Sequence, residues 1–140
     1  MVSEELIGKV QSRILNKKTI KEASDQTREL LINKRLNVGK IRKHLRTIES
    51  SASSILAVYK NREAVRVHIE KIRSEIVGLS RLFSREDMGY NISNVIYYLG
   101  GAFGRLQTAF DKGDINTVVK VIGEEILPAV VVGEEILRFV

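Results

Sequence analysis

The chain has no cysteine and no tryptophan, and only one proline, Pro128. Without cysteine there are no disulfides, no thiolate nucleophile and no thiolate metal site. A single proline means that long helices are interrupted in one place at most. Residues 1–58 contain no aromatic side chain. Single strands and RNA loops are gripped largely by stacking bases on aromatics, so this part of the chain is unsuited to that task. Histidine is scarce too. His44 sits among Arg42, Lys43 and Arg46, which repel a metal cation, and His68 falls on a different helix. No Walker loop, dinucleotide fingerprint or nucleophile elbow is present. The first residues, MVSEELIGKV, lack a basic-then-apolar leader, so no signal peptide is expected. Nor is there a run of 18 apolar residues, so no ordinary membrane-spanning helix is expected. A non-enzymatic protein without cofactor or metal is the expectation.

What the chain does have is helical periodicity. Of its 140 residues 44% are hydrophobic, enough for a core. Apolar positions recur at spacings of three and four nearly throughout, which predicts an all-α protein. Helices are expected over 3–15, 19–36, 40–59, 62–83 and 91–110, with a sixth from 115 that Pro128 interrupts or kinks. Thr19-Ile20-Lys21-Glu22 is a capping-box pattern for the second helix. Ile41, Leu45, Ile48, Ala52, Ile55 and Tyr59 form the inner line of the third. Val65, Ile69, Ile72, Ile76, Leu79 and Phe83 form that of the fourth. Gly100 and Gly104, four apart in an apolar helical pattern, point to close helix packing rather than to a phosphate loop.

The charge is polarised. Residues 1–50 hold 12 Lys/Arg against 6 Asp/Glu, a net of +6, which equals the excess of the whole chain. Two stretches carry cations and no carboxylate. One contains Lys9, Arg13, Lys17, Lys18 and Lys21; the other contains Lys34, Arg35, Lys40, Arg42, Lys43 and Arg46. Such a footprint suits phosphates. Asn and Gln are not clustered as they are where a helix reads base edges, so the contact expected is with the backbone of duplex DNA. The second helix has a thin apolar stripe, which short helices rarely survive alone. The sequence thus divides into a basic helical arm (1–39), a four-helix bundle (40–127) and an apolar C-terminal tail (128–140).

The tail repeats Gly-Glu-Glu-Ile-Leu, at positions 123–127 and 133–137. Ten residues along a helix rotate by about 280°, so the two glutamate pairs are not expected to share a face or a metal. They read as exposed charge beside apolar anchors. Three burials suit those anchors: a core, a second subunit or a lipid interface.

A basic arm without aromatics, a helical bundle and an oily C-terminal end together resemble the major coat proteins of filamentous enveloped archaeal viruses of the lipothrixvirus type. The resemblance implies a virion protein, made in the host cytoplasm, that pairs with a second coat subunit and wraps linear double-stranded DNA. It makes the eleven cations above phosphate contacts and turns apolar parts, here the C-terminal region, toward envelope lipid. The four tail glutamates depart from that pattern. Separately, RLQTAFDKGDINTVVKVIG is similar to the helical junction of flagellin export chaperones, which implies a helical-bundle interaction module.

Overall fold

A computed structural model describes residues 2–140. The described chain is all-helical: α1 (Glu4–Leu15), α2 (Ile20–Lys34), α3 (Val38–Val58), α4 (Arg62–Ser80), a 3-10 turn (Arg85–Asp87), α5 (Ile92–Asp111), α6 (Ile115–Val121), a π turn (Ile122–Ile126) and α7 (Leu127–Arg138).

Local chemistry sets most boundaries. Ser3 caps α1 by accepting the Leu6 N–H. Thr19 and Glu22 close the expected capping box on α2. Asn61 caps α4, Asn91 caps α5 and Asp114 caps α6. One boundary differs from expectation. The third helix, expected from residue 40, starts at Val38, with Asn37 as its N-cap accepting from the Gly39 and Lys40 N–H groups. The α2 helix ends at Arg35, which takes the left-handed conformation at φ 55°.

Pro128 lies at the start of α7 and neither ends the helix nor opens a loop. Lacking an N–H, it cannot donate to the carbonyl four residues back. The turn before it widens to the π form, and the Leu127 N–H reaches back to the Ile122 carbonyl.

The packing cuts across the three expected segments. In α7, Leu127, Pro128, Ala129, Val130, Val132, Gly133, Ile136 and Leu137 are all buried. A helix with so wide an apolar face, charged only at Glu134, Glu135 and Arg138, belongs largely inside a core, and α1, α2, α3 and α5 all pack against this one. Of the three burials open to these anchors, the one they take is the subunit's own core, which leaves Phe139 exposed at the end. For the same reason the basic arm does not stand free. Val10, Ile14 and Leu15 of α1, with Ala23 and Leu31 of α2, are buried in the common core. Polar groups secure the docking. The buried Ser24 hydroxyl donates to the Ile136 carbonyl at 2.7 Å, and the buried Thr27 hydroxyl accepts the Ile92 N–H at 3.0 Å.

Gly133 explains how α7 comes so close. A Cβ placed there would meet Leu45 Cδ1 at 3.1 Å and Val95 Cγ1 at 3.2 Å. Gly100 and Gly104 overturn the expected close contact: both are exposed and a Cβ on either would meet nothing within 4 Å. The inner lines expected for the third and fourth helices are buried except at their last positions, beyond the helix ends, where Tyr59 is exposed and Phe83 only partly buried. No described helix is long and apolar enough to cross a membrane.

Candidate nucleic-acid interface

Docking the first two helices does not hide their charge. A helix buries one stripe and leaves the opposite face to solvent, and the cations occupy that outer face. Of the eleven, Lys9, Arg13, Lys17, Lys18, Lys21, Arg35, Lys40, Lys43 and Arg46 are exposed, while Lys34 and Arg42 are half-buried.

Lys9 and Arg13 stand one turn apart on α1, at the rim of a small cleft that also holds Lys120, Glu124 and Glu125. Lys17 and Lys18 follow in the α1–α2 turn. Lys18 lies 3.6 Å from Glu22, and Lys21 lies 3.9 Å from Asp25. These acids fall just beyond the acid-free stretch and fold back onto it, four residues along the helix. Both pairs are exposed, and such pairs hold a cation weakly.

The second group is less uniform. Lys34 pairs with Asp87 at 2.7 Å, largely out of solvent. The Lys34 ammonium, together with the Ser84 N–H, holds the Asp87 carboxyl below the usual carboxylate range. Arg42 turns inward: it donates to the Leu137 carbonyl at 2.9 Å, and its Nε stands 3.9 Å from Glu134 Oε2. Those two cations therefore serve the fold first. Lys40, Lys43 and Arg46 remain on the open surface of α3, as does Arg35 before it.

Among the described residues, Lys9, Arg13, Lys17, Arg35, Lys40, Lys43 and Arg46 make no salt bridge. The first turn of α3 holds no acidic residue. Helix N-termini carry partial positive charge, so Lys40 in the first turn opposes the helix dipole, and Lys43 just beyond adds to the positive field there. A bound anion relieves the opposition.

Sequence reasoning missed Arg28, which donates to the Phe139 carbonyl at 2.6 Å. Its pairing with Asp25, three residues before, is legible; its contact across 111 residues is not. The tail glutamates were also misread in part. Glu125 pairs with Arg105 of α5, and Glu134 lies beside Arg42 of α3. The two copies do face different neighbours, but as interhelical partners rather than free surface charge. His44 binds Glu75 through Nδ1, tying α3 to α4. The described residues contain no group of three or more His, Asp or Glu arranged to hold a metal ion.

No protein-family model, no characterised protein and no solved structure shows a significant match to the chain.

Proposed function

We propose that this is a non-enzymatic protein that coats double-stranded DNA, gripping the phosphate backbone without reading sequence, as a coat subunit of a filamentous virion does. The observation that carries the reading is the set of seven exposed cations on α1, α3 and their flanking turns that have no carboxylate partner. A surface that leaves that much positive charge unneutralised favours a polyanion. In this reading α3, α4, α5 and the C-terminal helix are the bundle, and α1 and α2 form its basic outer layer. A second subunit, identical or related, continues the layer along the duplex.

Electrophoretic mobility of random duplex DNA tests the proposal. Six to nine phosphate contacts give a slope of log affinity against log salt of about −5 to −8. Replacing Lys43 by Ala is expected to weaken binding equally on all sequences and to reduce that slope by about one. Failure to retain DNA at low salt overturns the reading.

A second reading, an interaction module that holds a partner helix, draws on one observation. A cleft of about 750 Å³ runs between α5 and α6, and exposed Gly101 and Gly104 leave it open. Co-purification of a helical partner, with no DNA retention, favours this alternative.

A further inference from the structure

Glu134 is the least comfortable carboxylate in the molecule. Its Oε1 is buried and has no hydrogen-bond partner, while Oε2 faces Arg42 at 3.9 Å. That separation is too long for a direct hydrogen bond. Arg42 spends a guanidinium N–H on the Leu137 carbonyl, and Arg46, one helical turn on, is exposed and forms no salt bridge. A half-buried carboxylate thus stands in the field of two arginines of α3: Arg46, which belongs to the exposed set argued above to meet phosphate, and Arg42, half-buried and turned inward beside it.

We propose that Glu134 competes internally with phosphate for Arg42 and Arg46, so that engagement of a backbone phosphate by these arginines is coupled to uptake of one solvent proton by Glu134. The inference rests on the reading of this surface as a phosphate-binding one. Its physical basis is electrostatic. Burial pushes the Glu134 carboxyl above its usual range, Arg46 and Arg42 pull it back, and Glu49 adds to the push. Those three charges of α3 are the ones that act on it. On its own helix, Glu135 and Arg138 pair with each other. The Arg28 guanidinium of α2 lies at the end of α7, on the Phe139 carbonyl. No charged group of α1 or α5 shifts it. A phosphate set against Arg42 and Arg46 cancels the pull and adds a negative charge, so the proton affinity of Glu134 rises further.

Linkage fixes the sign. The bound state takes up a proton, so affinity increases as pH falls through the bound-state pKa of Glu134. It levels off below the free-state value. One proton contributes at most about a tenfold change per pH unit. The neutral carboxylic acid also gains an O–H donor.

Two measurements test this. The first is affinity for random duplex DNA at fixed salt across the acid-to-neutral range, for the wild type, Glu134→Gln and His44→Gln. His44 lies on the same helix as Arg42 and Arg46 and pairs with Glu75, so its variant serves as the control for a change on α3 away from Glu134. Glu134→Gln is expected to bind more tightly than the wild type at neutral pH and to lose part of the pH dependence; His44→Gln is expected to keep the Glu134 part. An unchanged pH profile in Glu134→Gln overturns the inference. The second is a carboxyl NMR titration of Glu134 in sodium chloride and in sodium sulfate at equal ionic strength. Sulfate is expected to raise the Glu134 pKa, and an unmoved titration overturns the inference whether or not DNA binds. A sulfate shift with no DNA retention instead removes only the DNA reading.

Discussion

The pentapeptide Gly-Glu-Glu-Ile-Leu occurs twice, ten residues apart, and meets two different fates. Gly123 begins the first copy inside the π turn, with nothing near its absent Cβ; Gly133 begins the second wedged against Leu45 and Val95. Glu125 reaches Arg105 on α5, whereas Glu134 sits half-buried beside Arg42 on α3. The apolar residues match: Ile126 and Ile136, and with them Leu127 and Leu137, are buried in both copies. Identical local sequence thus specifies helix and an apolar anchor, while the surroundings decide what glycine and glutamate do.

The difference comes from what covers each copy. The second lies under α2, whose Ser24 hydroxyl bonds to the Ile136 carbonyl. Removing residues 2–37, and with them α1 and α2, is therefore expected to abolish cooperative thermal unfolding, followed by circular dichroism. A truncated protein that still melts cooperatively would falsify the view that these helices complete the core. Truncating either isoleucine, Ile126→Ala or Ile136→Ala, is expected to cost about 2–5 kcal/mol in urea unfolding. If one costs far less than the other, the shared anchor is not shared.

The glycines sharpen the contrast. Gly133→Val is expected to destabilise by about 1–3 kcal/mol, because branched carbon is forced against side chains already in contact. Gly123→Ala has open space and is expected to stabilise by about 0.5–1 kcal/mol, through the lower helix cost of alanine. Equal effects at the two sites would erase the distinction. The glutamates give the smallest effects. Glu125→Gln removes a pair that is partly exposed and is expected to cost no more than about 1 kcal/mol. Glu134→Gln is expected to have the opposite sign at neutral pH. The folded carboxyl pKa is raised, so its penalty is present above that pKa and is relieved as pH falls through it. The stability difference between wild type and Glu134→Gln is thus expected to shrink on acidification, as melts at a series of pH values would show.

Much of the helical layout was legible. The inner lines of α3 and α4 follow from spacing alone, and the α2 capping box from four residues. The cations of the candidate interface were legible as a set, since acid-free stretches are a property of sequence. Their division was not. Lys34 and Arg42 are committed to Asp87 and to the end of α7 by residues 53 and 95 positions away, respectively, and no local pattern encodes such pairs. Misreading α1 and α2 as an arm has a physical cause as well. A thin apolar stripe is marginal alone but sufficient when its partner offers a wide apolar face, as α7 does. The partner lies a hundred residues later in the chain, beyond the reach of any window on the second helix.

The π turn at Ile122–Ile126 has an evolutionary side. A π turn holds one residue more than an α turn, so it amounts to a single-residue insertion stored within a helix. Every side chain beyond it is rotated by about 100° from the direction an uninterrupted helix would give. Losing one residue there would straighten the hydrogen-bond ladder into an ordinary α turn while leaving Gly133 facing α3 and α5 and Ile136 in the core. A one-residue deletion in this segment is therefore a change of length that α7 can absorb without redistributing its small and large residues.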